Sequence, residues 1–201
     1  MASRKVYLIR HGQTDYNKSG IMQGSKVNAS LNGTGREQAK AFFEHYKDIP
    51  FDKVYTSALK RSIESVDQFI ALGIDWEQNK RLNEISWGEF DGKKVIGDPR
   101  YKEVVDAWHD GDFTAKARGG ESPLDVMERQ KPFWDHVLQE PLENTLICMH
   151  GRAMRILLCY ILGESMHKMK TFEHDNLGLY LLEITDEKTK LIKANDTIHL
   201  H

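Results

Sequence analysis

The chain has 201 residues, ordinary apolar content, slightly enriched charge and a formal net charge of -2. That length fits one compact unit with a large core. The near balance of charge excludes the global basicity of a nucleic-acid binder, so any cationic site must be local. Two positive charges stand near the N-terminus, but the apolar run behind them, Val6 to Ile9, is too short for a signal peptide, and no other stretch approaches a membrane span. Cys148 and Cys159 both lie in strongly apolar segments, which argues for inert core thiols and a reducing, cytoplasmic compartment.

In chain order, Val6-Tyr-Leu-Ile9 reads as a buried strand ahead of a glycine. Thr34-Gly-Arg-Glu37 has the form of a capping box opening a helix through about Tyr46. Val54 to Thr56 is a second short strand, with Ser57 as the N-cap of an amphipathic helix from Ala58 to Leu72 that Gly73 ends. From Trp87 to Gly120 the texture changes to Gly, Asp and Lys, and only Tyr101 to His109 looks helical. Residues 87–120 therefore read as a lid-like insertion in a single domain spanning 1–201. Ser122-Pro123 starts another helix, which Pro132 is expected to kink or divide before Phe133-Trp134.

Thr145 to Met149 is the most strand-like run, and the helix after Gly151 is apolar nearly all round from Met154 to Leu162, with Gly163 as its stop. Leu177 to Ile184 and Lys190 to Ala194 close the chain as two strands around a turn at Asp186-Glu187. Strands alternating with helices predict a three-layer α/β/α sandwich around a mostly parallel mixed sheet.

In such sheets ligands bind outside the carboxyl ends of the strands. Strand one ends in Arg10-His11-Gly12, strand two leads into Lys60-Arg61, and the late strand ends in His150-Gly151-Arg152. Arg61 and Arg152 fall in first helical turns, where the macrodipole disfavours cations unless an anion lies nearby. Arg10 and His11 reach one site only if Gly12 breaks the strand.

Arginine forks match phosphoryl oxygens, so the cluster suits a phosphoryl group. Walker, Cys-x5-Arg and Gly-x-Ser-x-Gly patterns are absent, as is a metal-spaced Asp pair near a strand end. A neutral imidazole can attack phosphorus, and His11 beside Arg10 is the candidate. Glu84, in the partly apolar Leu82-Asn-Glu84-Ile-Ser-Trp-Gly88, is the candidate proton donor, although composition alone does not separate it from Glu89 or Asp91. Cys148 is too apolar in setting for a thiolate, and His174-Asp175 reads as structural. Arg155 leans toward a structural role, and the lid cations Lys93, Lys94, Arg100, Lys116 and Arg118 toward a solvated loop.

At this point the chain resembles the histidine phosphatase superfamily, on the branch of the cofactor-dependent phosphoglycerate mutases. The resemblance rests on Arg10-His11-Gly12-Gln13-Thr14, Asn17, Gln23-Gly24, Leu31, Gly35, Gln38-Ala39, Thr56-Ser57, Arg61, Leu82-x-Glu84, Gly88, Gly92, Gly120-Glu121-Ser122 and His150-Gly151. It implies a phosphoglycerate mutase-like fold and a histidine acid-type phosphomonoester hydrolase, with His11 as phosphorylated nucleophile. It further implies that Arg10, Arg61 and His150 hold phosphoryl oxygens and that Glu84 gives the proton. Asn17 and the backbone at Gly151 are implied to contact phosphate, with Gln23 and the lid nearer the leaving group and Gly24 among the substrate-binding residues. Arg152 stands at a position that varies among such proteins and can bind substrate, bind phosphate or face solvent.

Three functions follow: a metal-independent phosphatase acting on a small phosphorylated metabolite, a 2,3-bisphosphoglycerate-dependent mutase, or a non-catalytic phosphate-binding module. The short segment between Glu84 and Gly120 favours the phosphatase over the mutase. No cofactor or metal, no nucleic acid and no membrane is expected as a partner, and a homodimer is compatible with the chain.

Overall fold

The computed structural model describes residues 4–185 and 188–201. Six strands form one sheet: β1 (Arg4–Arg10), β2 (Lys53–Thr56), β3 (Asp75–Gln78), β4 (Asn144–Met149), β5 (Leu179–Ile184) and β6 (Thr189–Asp196). Their order is β3-β2-β4-β1-β5-β6. The pairings among β1, β2, β3 and β4 are parallel, whereas β5 and β6 add on antiparallel. This is the expected mixed, mostly parallel sheet.

The period-two alternation of strand side chains divides the interior into two cores. Val6 and Leu8 of β1 face a core shared with α6 (Pro123–Gln139) and α7 (Gly151–Ile161). Tyr7 and Ile9 face a second core with Phe42 of α2 (Gly33–Tyr46) and Phe69 of α4 (Asp67–Ala71). Helices thus cover both faces, giving three layers. Among the described residues no helix is long and apolar enough to cross a membrane.

Several boundaries differ from the sequence reading, each for a local reason. The N-cap of α2 is Asn32, whose side chain accepts from the Gly35 amide at 2.9 Å, so Thr34 lies inside the helix. Ser57 caps no helix either. Its hydroxyl turns the chain by accepting from the Leu59 amide, and α3 (Lys60–Glu64) starts only after Leu59. The expected 58–72 helix then breaks in two. Ser65 Oγ takes the Arg61 carbonyl at 2.6 Å, back-bonding of the kind that bends helices, and Val66 leaves helical geometry before α4. Conversely, Pro132 does not divide α6, which runs unbroken and buries Phe133, Trp134 and Val137 beyond the proline. That burial offsets a local cost of about 3 kcal/mol.

The edge strand β3 was not anticipated, because Asp75-Trp-Glu-Gln78 is largely exposed and lacks an apolar signature. The expected strand from Leu177 begins only at Leu179. Asp186 and Glu187, the expected turn, lie outside the described residues. A short helix α1 (Asp15–Lys18) follows β1, and α5 (Pro99–His109) starts two residues before the expected Tyr101, capped by Asp98. Within 87–120, Trp87, Phe90 and Trp108 are buried in the α6/α7 core.

Candidate active site

Parallel pairing sets the ends of β1, β2 and β4 side by side. Arg10 stands opposite Met149 and Thr56 opposite Cys148, so His11, Ser57 and His150 emerge together. The ladder continues into the loops through His11 N to Met149 O at 3.0 Å and Ser57 N to Cys148 O at 3.2 Å.

An open cavity of about 280 Å3 lies over these ends. Of the residues expected there, Arg10, His11, Asn17, Gln23, Glu84, Gly151 and Arg152 line it. Arg61, His150 and Gly24 do not line it. Arg61 and His150 are fully buried, with the His150 ring 5.1 Å from that of His11.

The buried His11 imidazole lies 2.7 Å through Nδ1 from the Gly12 carbonyl. A carbonyl only accepts, so Nδ1 carries the proton and Nε2 keeps its lone pair. Burial, followed by the charges of Arg61 and Arg10, holds the ring well below the ordinary value of 6.5, so it is neutral.

His150 is fixed by a different logic. Arg61 Nε donates to its Nδ1 at 3.2 Å, so the proton sits on Nε2 and goes to Ser57 Oγ at 2.7 Å. Ser57 Oγ lies 2.7 Å from Ser62 Oγ, which donates to the Leu59 carbonyl. Both ring nitrogens are therefore committed to protein partners. Arg61 also donates to the carbonyls of Val27, Gln23 and Gly24, tying the 23–27 loop to His150. Gly24 itself permits close packing, since a Cβ there would fall 2.0 Å from Asp91 Oδ1.

Two buried histidines held neutral make stability depend on pH. Burial and Arg61 also push His150 well below its ordinary value. In the unfolded chain both rings protonate as pH falls through about 6.5, whereas the native rings resist, so stability is complete above that value and declines below it. From pH 7 to 5.5 the pair is expected to cost about 2.5 kcal/mol. Urea midpoints at the two pH values test this, and His11→Ala should remove about half of the pair's share, or about 1.2 kcal/mol, the depressed rings of His174 and His199 adding declines of their own.

Glu84 is cradled by backbone. Its Oε1 accepts from Ile85 N at 2.9 Å and Ala153 N at 2.8 Å, and its Oε2 from Arg152 N at 3.0 Å. The carboxyl sits at the N-terminus of α7, a polar cradle rather than the partly apolar setting expected. One lone-pair direction of Oε2 remains for a ligand.

Other donors are unspent. Arg10 Nη1 reaches the His174 carbonyl at 2.6 Å, but its Nε is buried without a partner. Gln23 has neither amide atom paired, although the residue is buried on the cavity wall. The Asn17 amide oxygen accepts from Thr14 N and Thr14 Oγ1, both at 3.1 Å, which leaves its NH2 group for a ligand. These are the signs of an anion site.

Tyr16, Trp87, Tyr101 and His174 also line the cavity; the sequence reading names none of them as a site residue and sets His174 aside as structural. His174 packs on Gly151 so closely that a Cβ at 151 would lie 2.2 Å from its Cδ2. Burial, then Arg10, Arg155 and Arg152, pulls its ring down to about 3. Nothing near it in sequence announced this, because Arg10 at the end of β1 and Gly151 at the start of α7 are both distant in the chain. Asn176 donates to the His11 carbonyl at 2.9 Å and steadies the loop. Burial pushes the Cys148 thiol up, so it is protonated. Among the described residues no group of three or more His, Cys, Asp or Glu is arranged to hold a metal.

The family model for the histidine phosphatase superfamily (branch 1) matches residues 6–197. Phosphoserine phosphatase 1 of Hydrogenobacter thermophilus is 27% identical over 201 residues, covering 98% of this chain and 94% of its own. Human 6-phosphofructo-2-kinase/fructose-2,6-bisphosphatase 4 is 34% identical over 175 residues, 83% of this chain but 34% of that protein. Among solved structures, the alpha-ribazole phosphatase from Shigella flexneri superposes with a TM-score of 0.84 at 23% identity, over 96% of each chain. A phosphoserine phosphatase variant from Entamoeba histolytica, solved with phosphoserine, gives 0.85 at 24% identity, over 98% of this chain and 100% of that one.

Proposed function

This chain belongs to the histidine phosphatase superfamily, branch 1, and we propose that it is a histidine acid-type phosphomonoester hydrolase working through a phosphohistidine on His11. The observation that carries this reading is the tautomer of His11, neutral, with Nδ1–H spent on Gly12 O and Nε2 unprotonated at the cavity.

In this reading the phosphoryl oxygens are held by Arg10, Asn17 and Gln23, through the unpaired Arg10 Nε and the free amide groups of Asn17 and Gln23. His11 Nε2 attacks phosphorus, the phosphorus–oxygen ester bond breaks, and Glu84 gives its proton to the departing alkoxide. Water then attacks the phosphohistidine while Glu84 takes its proton. The nitrogen–phosphorus bond breaks, its electron pair returns to Nε2, and inorganic phosphate leaves. Arg61 acts from behind, holding His150 and the 23–27 loop and adding positive charge, while the neutral His150 packs beside His11. Residues 87–120 serve as the lid, with Trp87 and Tyr101 on the cavity wall.

No step calls for a metal, so phosphate release from a panel of phosphomonoesters is expected to persist in EDTA. The same panel separates the mutase. Conversion of 3-phosphoglycerate to 2-phosphoglycerate outpacing phosphate release, in the presence of 2,3-bisphosphoglycerate, would replace the hydrolase reading.

A further inference from the structure

The cavity carries more cationic capacity than one phosphoryl group uses. Arg10 lies next to His11, but Arg152, also on the wall, reaches the site from α7. Its backbone N–H is spent on Glu84, yet among the described residues no hydrogen bond or ion pair takes up its guanidinium.

That guanidinium is nevertheless built in. It lies over the rings of Trp87 and Trp108, at 5.8 and 5.5 Å from their centroids. The two indoles pack 5.3 Å apart, and Trp108 is pinned by Nε1 to the Ala115 carbonyl at 2.8 Å. Aromatic faces support the cation from the side and leave its in-plane N–H fork open.

Nothing nearby neutralises it. Arg155 spends its Nε on the Phe172 carbonyl at 2.6 Å and adds a second positive charge. His174 is neutral, and the Glu84 oxygens are engaged with three backbone N–H groups. A planar fork on an aromatic platform, facing a cavity and lacking a protein anion, matches a bidentate carboxylate or phosphate.

We propose that Arg152 binds a second anionic group of the substrate, a carboxylate or a further phosphate, and so makes the enzyme selective for phosphorylated acids or bisphosphates over esters of neutral alcohols. This rests on the hydrolase reading above and goes beyond it by naming the substrate class.

The test compares 3-phosphoglycerate with glycerol 3-phosphate, which carries CH2OH in place of the carboxylate, and a sugar bisphosphate with its monophosphates. Wild-type kcat/KM is expected to favour the doubly anionic member of at least one pair by about 10–100-fold. The pair that responds identifies the second anion as carboxylate or phosphate. Arg152→Gln should bring that ratio close to one, chiefly through KM for the doubly anionic ester, and Arg152→Lys should restore part of it. Flat ratios in the wild type, or a preference that survives Arg152→Gln, overturn the inference while hydrolysis itself stands. Failure to hydrolyse any ester, p-nitrophenyl phosphate included, removes the hydrolase reading and this inference with it.

Discussion

His11→Ala is expected to lower phosphate release by at least about 10,000-fold, because it removes the atom that, among the described residues, is placed to form the covalent intermediate. Nε2 is unprotonated because Nδ1–H is held by Gly12 O, and alanine offers no substitute. The fold should survive, since the neighbouring His150 keeps its own partners in Arg61 and Ser57. Two measurements check the claim: steady-state phosphate release, and labelling with a 32P-phosphomonoester followed by acid and alkaline treatment. Wild type should carry a label that is labile to acid and stable to alkali, as a phosphorus–nitrogen bond is, and His11→Ala should carry none. Turnover within tenfold of wild type in the variant would sink the phosphohistidine reading. Loss of label with retained turnover would point to direct attack by water instead.

The contrast between His11 and His150 shows where the sequence ran out. Both close buried strands and both precede glycine, so the sequence placed them correctly at one sheet edge. Which one faces the cavity depends on what Arg61 does, and Arg61 arrives from a helix whose start the sequence misplaced by two residues. Ser57 looked like a helix cap and is instead the acceptor for His150. Long-range side-chain pairing of this kind leaves no periodic trace. The core was far more legible, because burial imposes alternation on β1 and β4 and leaves long apolar runs. β3 escaped for the opposite reason, being an exposed edge strand whose pairing to β2 is set by backbone alone. Glu84 was found as a residue but not as a cap. Its hold on the Arg152 and Ala153 amides joins chain segments 68 and 69 residues apart.

That double position makes Glu84→Gln the second large effect. Glutamine keeps the shape, and its amide oxygen can accept from Ile85 N and Ala153 N as Oε1 does. Its NH2 group then meets the Arg152 N–H, donor against donor, where Oε2 accepted at 3.0 Å. The mismatch should cost about 2 kcal/mol, a fall in Tm of about 4–8 °C for a chain of this size. Catalysis should fall further, by about 100–1,000-fold on an alkyl phosphate, because the amide cannot protonate the leaving alkoxide. A merely structural role is excluded by changing the leaving group. Nitrophenolate departs without a proton, so the variant should still phosphorylate His11 from p-nitrophenyl phosphate, releasing one equivalent of nitrophenol in a burst. Slow turnover should follow, since water attack has lost its base. An alkyl phosphate should give no burst. Equal loss in the first step for both esters, with no burst from either, would leave Glu84 as a cap of α7 and require another proton donor.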